Sequence, residues 1–349
     1  MGKQEVLEST LKQIKKAYGE GAIMWLGDGA EAMQLETVPS GSLALDIALG
    51  VGGIPRGRIV EIFGSESSGK TTLALHIIAE VQKREGTAAF IDAEHVLDPT
   101  YTRALGVDLD HILLAQPGSG EQALEITEQL TRSGAVDIIV IDSVAALVPM
   151  AEIEGQMGES QVGLQARLMS QAMRKLSGVI SQSKTIVVFT NQIRSVISGT
   201  SYGQATTTSG GRALKFYASL RLNLWPSEKI EEGGAQIGTT VKVRVVKNKV
   251  APPFKEATFD IIYGKGILHS RDLVTTGESV GVISRSGSWY AFGDKRLGQG
   301  VGNSARALEE SPELSSAVER AIREKAGLPV PAADKEKPTK AGEEKRHAK

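Results

Sequence analysis

The octapeptide Gly64-Ser65-Glu66-Ser67-Ser68-Gly69-Lys70-Thr71 fits the pattern G-x-x-x-x-G-K-[ST]. It follows a short β-rich run, Arg58–Phe63, and opens a helical segment that reaches about Lys83. A strand, a glycine loop and a helix in that order form a phosphate cradle. The glycines let the backbone curl so that its N–H groups face a polyphosphate, and Lys70 adds a point charge for the β- and γ-phosphates. The Thr71 hydroxyl is placed to ligate Mg²⁺. The motif therefore demands an α/β fold with a parallel sheet around it.

The rest of the chain reads accordingly. Ala88–Asp92, Ile112–Gln116, Ile138–Asp142 and Thr185–Thr190 are short apolar runs, and 120–133 and 163–183 read as helices between them. Such alternation predicts a mostly parallel sheet with helices on both faces. After residue 218 the period becomes two, at Leu220, Leu222 and Leu224, at Val241, Val243 and Val245, and at Phe259 and Ile261. These read as antiparallel strands extending the sheet. A smaller unit follows over 270–328; its last helix starts at Ser311, with Pro312 in its first turn, and stops at Gly327. Ahead of the core, 4–18 reads as an amphipathic helix with Leu7, Leu11, Ile14 and Tyr18 on one stripe. That stripe either packs on its own domain or docks on a neighbouring subunit. The expected divisions are 1–32 for the helix and its link, 33–268 for the core, 269–328 for the small unit and 329–349 for a disordered basic tail.

Composition narrows the function. There is no cysteine, which excludes a disulfide scaffold, a thiol nucleophile and thiolate metal sites. No stretch of 18 apolar residues and no signal-peptide pattern is present, so a cytoplasmic protein with no membrane partner is expected. The formal net charge is −1, against coating nucleic acid by bulk positive charge. Glycine is enriched, 39 of 349 residues, which directs attention to glycine-rich loops.

Three further strand ends point to the same edge. Asp142 closes Ile138-Ile139-Val140-Ile141, where open α/β sheets bind their ligands, and would hold Mg²⁺ through water. Glu94, in Phe90-Ile91-Asp92-Ala93-Glu94-His95, is the candidate to orient and polarise an attacking water. Asn191-Gln192 ends another strand, either as a γ-phosphate sensor or as satisfied strand-end amides. Residues 194–211 have no periodicity and are rich in Gly, Ser and Thr. Arg194, Tyr202, Gly210 and Gly211 there, with Arg212 directly after, suit a nucleic-acid backbone, with Tyr202 as a stacking group. Arg167 and Arg174 sit seven apart on one helical face, which reads equally as a solvated face.

The ordered set Gly64–Thr71, Phe90–His95, Ile138–Ser143, Gly163–Arg167, Asn191–Arg194 and Ala213–Ala218 resembles the bacterial RecA recombinases, over about residues 5–326. The resemblance implies a RecA-type P-loop ATPase core, a mostly parallel twisted sheet flanked by helices, with an N-terminal polymerisation helix and a small α+β C-terminal domain. It implies a helical homo-filament on single-stranded DNA with ATP and Mg²⁺, pairing with homologous double-stranded DNA, and self-cleavage of a LexA-type repressor. Lys70, Thr71, Thr72, Glu94, Asp142 and Gln192 match the family's nucleotide site. Asp98 and Tyr101 match adenine contacts, and Lys247 and Lys249 match lysines reaching a neighbour's nucleotide. Phe216 matches an interface position. The DNA loops match roughly 154–163 and 193–211. The chain departs from the pattern at Ser65, Trp25, Ser201-Tyr202 and an extra serine within 206–209, and its tail is not acidic.

Two other classes share parts of this pattern. A hexameric P-loop motor has the same core, but not the N-terminal helix or the Lys247/Lys249 pair; closed rings would favour it. An ATP-bound scaffold presenting a surface to a repressor would keep co-cleavage without turnover. Arg285, Lys295 and Arg296 are candidates for a duplex-binding surface in the C-terminal unit.

Overall fold

A computed structural model describes residues 2–25, 35–156, 163–195 and 206–330. Tyr202, Gly27, Gly29 and the tail from residue 331 lie outside the described residues. The chain divides into two compact units, Met1–Glu36 and Thr37–Lys349.

The first unit carries α1 (Lys3–Tyr18), whose start is fastened by the Glu5 carboxylate accepting the Gly2 N–H at 2.8 Å. Leu7 and Leu11 line one groove of about 520 Å³ with Ile23, Met24 and Trp25 of the same unit. Leu7 and Leu11 of the stripe thus stand beside apolar residues close to them in sequence, while Tyr18 is exposed.

In the second unit β1 (Thr37–Val38) and β2 (Ile54–Pro55) pair around α2 (Leu43–Leu49). There follow β3 (Ile59–Gly64), α3 (Lys70–Gln82), β4 (Ala88–Asp92), α4 (Pro99–Ala104), β5 (Ile112–Ala115) and α5 (Gly120–Ser133). Next come β6 (Ile138–Asp142), α6 (Met150–Glu154), α7 (Leu164–Ser183), β7 (Ile186–Ser195), β8 (Thr206–Thr208) and α8 (Ala213–Tyr217). The long strands β9 (Leu220–Glu232), β10 (Ala235–Asn248) and β11 (Glu256–Ile262) precede β12 (Gly266–Ile267). The chain closes with α9 (His269–Ser279), β13 (Ile283–Ser286), β14 (Trp289–Phe292), β15 (Lys295–Gln299), α10 (Gly300–Glu309) and α11 (Pro312–Ala326).

The main sheet runs β12-β11-β10-β9-β3-β7-β6-β4-β5, with β8 added antiparallel to β7. Neighbours from β9 to β5 are parallel, and those from β9 to β12 antiparallel. Strands buried on both faces need apolar residues at every position. Val60, Ile62, Phe90, Val140 and Val188 accordingly pack towards α3, whose Leu73, Ile77 and Val81 meet them. Ile59, Ile91, Ile139, Ile141 and Phe189 pack on the opposite face, against α5 and α7. β9–β11 alternate as expected, burying the leucines and valines named above.

β7 runs to Ser195, well past the expected end at Thr190. Its polar extension is held by β3, where Gly64 is opposite Gln192, and by β8. A third core joins Leu273, Ile283, Tyr290, Leu308 and Ile322 to Leu43 of α2, so residues 269–328 are fastened to the sheet unit through that helix. α11 opens at Pro312 and closes at Gly327 (φ +69°), although the Ser311 hydroxyl makes no capping bond. No helix among the described residues is long and apolar enough to cross a membrane.

Candidate functional site

Parallel pairing brings the tips of β3, β4, β6 and β7 together at one edge of the sheet. Asp92 stands opposite Asp142, and Gly64 opposite Gln192. The loop after Gly64 demands glycine at two points. A Cβ on Gly64 would lie 2.1 Å from the Leu224 carbonyl oxygen; Gly69 is left-handed (φ +86°) with Ile261 Cδ1 2.4 Å from where its Cβ would stand. Either substitution would push the loop off the sheet.

Lys70 opens α3 and folds back over the loop, donating to the Ser65 carbonyl at 2.7 Å and the Gly64 carbonyl at 3.3 Å. Ser65 thus contributes a backbone oxygen here. Burial lowers the Lys70 ammonium pKa; Asp142, Glu94 and Glu66 oppose that shift. Ser68 is fully buried, and its hydroxyl has no partner among the described residues.

Asp142 is 6% exposed and accepts from two hydroxyls, Thr71 at 2.6 Å and Thr190. Burial raises its carboxyl pKa, and the two hydroxyl bonds oppose the rise. Its backbone carbonyl receives the N–H groups of Ala93 (3.0 Å) and Glu94 (3.3 Å), stitching the two strand tips. Buried Asp92 shapes the loop by accepting from the Val96 and Leu97 amides and from Gln116 Nε2. Glu94 is thereby presented between two donors, the Ser143 hydroxyl and Gln192 Nε2 at 3.4 Å. The edge brings Lys70, Thr71, Asp142, Glu94 and Gln192 together. Sequence reasoning assigned no role to Ser143, Thr190 or Asp92. Thr190 was visible as a polar residue ending an apolar run, and the other two stood inside quoted motifs.

This set fits a nucleotide with Mg²⁺. Among the described residues no group of three His, Cys, Asp or Glu side chains could hold a metal by itself. One hydroxyl and one hydrogen-bonded carboxylate suit Mg²⁺, which keeps several waters and takes its remaining ligands from phosphate oxygens. Beside the loop, the Tyr101 and Thr72 hydroxyls share a hydrogen bond of 2.8 Å, and burial pushes the Tyr101 phenol up. Asp98 caps α4 by accepting the Thr100 N–H at 2.8 Å.

The remaining candidates lie further out. Lys247 donates to the carbonyls of Lys215 (2.7 Å) and Phe216 (2.8 Å), and Lys249 to that of Phe216 (3.4 Å). Both lysines therefore sit on the end of α8, beside Phe216, which is 69% exposed. Partial burial and neighbouring Lys249 and Arg221 lower the Lys247 pKa. Arg167 and Arg174 are exposed on α7, while Met169, Ala172, Met173 and Leu176 form its buried face. Arg194 on β7 and Arg212 ahead of α8 are exposed. Gly210 (φ +80°) and Gly211 (φ +77°) have a packing role: a Cβ would lie 2.8 Å from Val144 Cγ1 on the first and 2.8 Å from Ala166 Cβ on the second. In the C-terminal part the Arg296 guanidinium stands 4.7 Å from the Trp289 ring centre, and Arg285 pairs with Glu278 at 3.2 Å.

A family model described as RecA N-terminal domain matches residues 5–268, and one described as RecA C-terminal domain matches 271–327. The chain is 60% identical over 326 residues to Protein RecA of Caldanaerobacter subterraneus subsp. tengcongensis, covering 93% of this chain and 95% of that one. It is 57% identical over 339 residues to Protein RecA of Symbiobacterium thermophilum, covering 96% and 97%. With Protein RecA of Aquifex aeolicus it shares 59% identity over 326 residues, 93% and 94% of the two chains.

Proposed function

Because the chain belongs to the RecA family, we propose that its P-loop edge hydrolyses ATP in response to single-stranded DNA. The chain is a homologous recombinase of DNA recombination and repair; family membership carries nucleotide binding with Mg²⁺, DNA binding and filament formation.

Lys70 exchanges the Gly64 and Ser65 carbonyls for β- and γ-phosphate oxygens, and the loop amides hold the same oxygens. Thr71 and Asp142 hold Mg²⁺, which when bound neutralises charge on the phosphates. Glu94 orients the attacking water and draws its proton, and Ser143 and Gln192 fix its carboxylate meanwhile. Gln192 also donates to the γ-phosphate. Tyr101, Thr72 and Asp98 border the base. Lys247 and Lys249 leave the end of α8 to reach the nucleotide of the next subunit, so assembly depends on ATP through the contacts that differ between the two states. Arg167, Arg174, Arg194, Tyr202, Gly210, Gly211 and Arg212 serve the single strand, and Arg285, Lys295 and Arg296 the duplex. The LexA-type repressor and a cytoplasmic setting belong to the same reading.

The observation that carries it is the Glu94 carboxylate held between Ser143 and Gln192 on the rim that also bears Lys70, Thr71 and Asp142. ATP turnover measured with and without single-stranded DNA tests it, with electron microscopy of the same sample. Stimulated turnover on extended filaments is expected. Turnover indifferent to DNA, or closed rings, would overturn it.

A further inference from the structure

A buried polar group lies on the other face of the same edge. Glu61 on β3 is fully buried, and its two carboxylate oxygens are both used. One accepts from Asn191 Nδ2 at 3.0 Å and the other from Arg221 Nε at 2.5 Å. The Arg221 guanidinium also stands 4.6 Å from the centre of the Phe63 ring. A buried ion pair costs desolvation that a packed apolar pair would not.

Strand alternation turns Asn191 away from Gln192 and towards α7. Its Nδ2 donates a second bond to the Ser209 carbonyl at 3.1 Å, and its Oδ1 accepts the Gln192 backbone N–H at 2.9 Å. One fully buried amide therefore touches β3, the backbone of Gln192 and the segment 206–212. That segment cannot slide freely. Residues 208–210 are buried, and Gly210 and Gly211 are wedged against Val144, Met169 and Ala166. Lys215 also donates to the Thr207 hydroxyl at 3.0 Å.

We infer that Glu61 and Asn191 are positioning residues that tie Gln192 to the anchored end of 206–212. Nucleotide contacts at Gln192 and DNA contacts beyond 206–212 then act through one hub. The inference deepens the function proposed above and rests on that reading. Neither residue meets the nucleotide. Asn191 fixes where the Gln192 backbone lies, and Glu61 fixes Asn191. A ligand shifts such an element only by contacts that differ between its two arrangements. The Asn191–Ser209 bond is one contact that must change if 206–212 is to move, together with the β7–β8 pairing and the packing of Gly210 and Gly211.

The test compares turnover of the full-length chain with and without single-stranded DNA, for wild type, Asn191→Ala and Glu61→Gln. Asn191→Ala should lower the stimulation ratio at least about fivefold, within the usual range of a coupling free energy. Glu61→Gln retains an oxygen for Asn191 Nδ2 and should keep most of the stimulation. A merely structural role would depress both rates by one factor and leave the ratio unchanged, which would overturn the inference. If Asn191→Ala does not fold, hydrogen exchange of the wild type decides. A non-hydrolysable ATP analogue, without DNA, should change exchange of the 206–212 amides at least about threefold; unchanged exchange overturns the inference. A wild type that DNA does not stimulate would instead count against the proposed function, and the exchange measurement would still judge the hub.

Discussion

Asp142 and Asp272 are both buried carboxylates, 6% and 2% exposed, and burial raises the pKa of both. Asp142 takes the Thr71 and Thr190 hydroxyls, and Asp272 takes the Ser42 hydroxyl at 3.0 Å and the Leu43 N–H at 2.5 Å. Their surroundings differ. In front of Asp142 lies a sheet edge with Lys70, Glu94 and a glycine loop. Asp272 faces the start of α2, whose N-terminal N–H groups need an acceptor, and it clamps the C-terminal part to the sheet unit. Depth and titration alone do not mark a site; the groups set before the carboxylate do.

Substitution should separate the two. Asp142→Asn is expected to lower ATP turnover by about 10²–10³ with thermal stability unchanged or raised, since a buried charge is removed. Turnover near wild type would erase the distinction. Asp272→Ala should do the reverse, costing about 1–3 kcal/mol in denaturant unfolding through the lost cap. Its turnover per folded molecule should stay within about twofold, and a larger fall would give Asp272 a part in the site.

The smallest expected effect concerns Asp46, a neighbour of Asp272 whose carboxyl burial pushes up to about 7. Its folded pKa lies above the unfolded value of 3.8, so the folded state holds the proton more tightly. That contribution is full below about pH 4 and is lost as pH rises through about 7. Asp46→Asn keeps an oxygen for the Ser40 N–H, which donates at 2.9 Å. The variant should melt about 2–4 °C above wild type at pH 8 and level with it near pH 4. Equal melting at both pH values would contradict the shift.

Much of the fold and the site was legible because the parallel strands are short apolar runs with chemistry at their ends. Ile138–Asp142 and Ala88–Asp92 have the expected bounds, since each is buried at every position. Legibility fails where polar residues are held by distant ones. β7 outruns its apolar signal because Asn191–Ser195 is paired by β3 and β8. The bond from Asp272 to Leu43 spans 229 positions, which no local pattern records. Gly210 and Gly211 stood out as candidate ligand contacts, whereas their φ angles and crowding by α7 are visible only in three dimensions. Glu61 was the one charge in Ile59–Phe63, a signal whose partners Asn191 and Arg221 lie 130 and 160 residues away.

In the function proposed above, this edge drives pairing of a single strand with its homologous duplex. The most direct measurement is joint-molecule formation from a labelled single strand with homologous or heterologous duplex, with ATP and Mg²⁺, beside Lys70→Ala. Joint molecules are expected for the wild type with homologous duplex and ATP only, and none for Lys70→Ala. Joint molecules formed equally with heterologous duplex, or by Lys70→Ala, would contradict it.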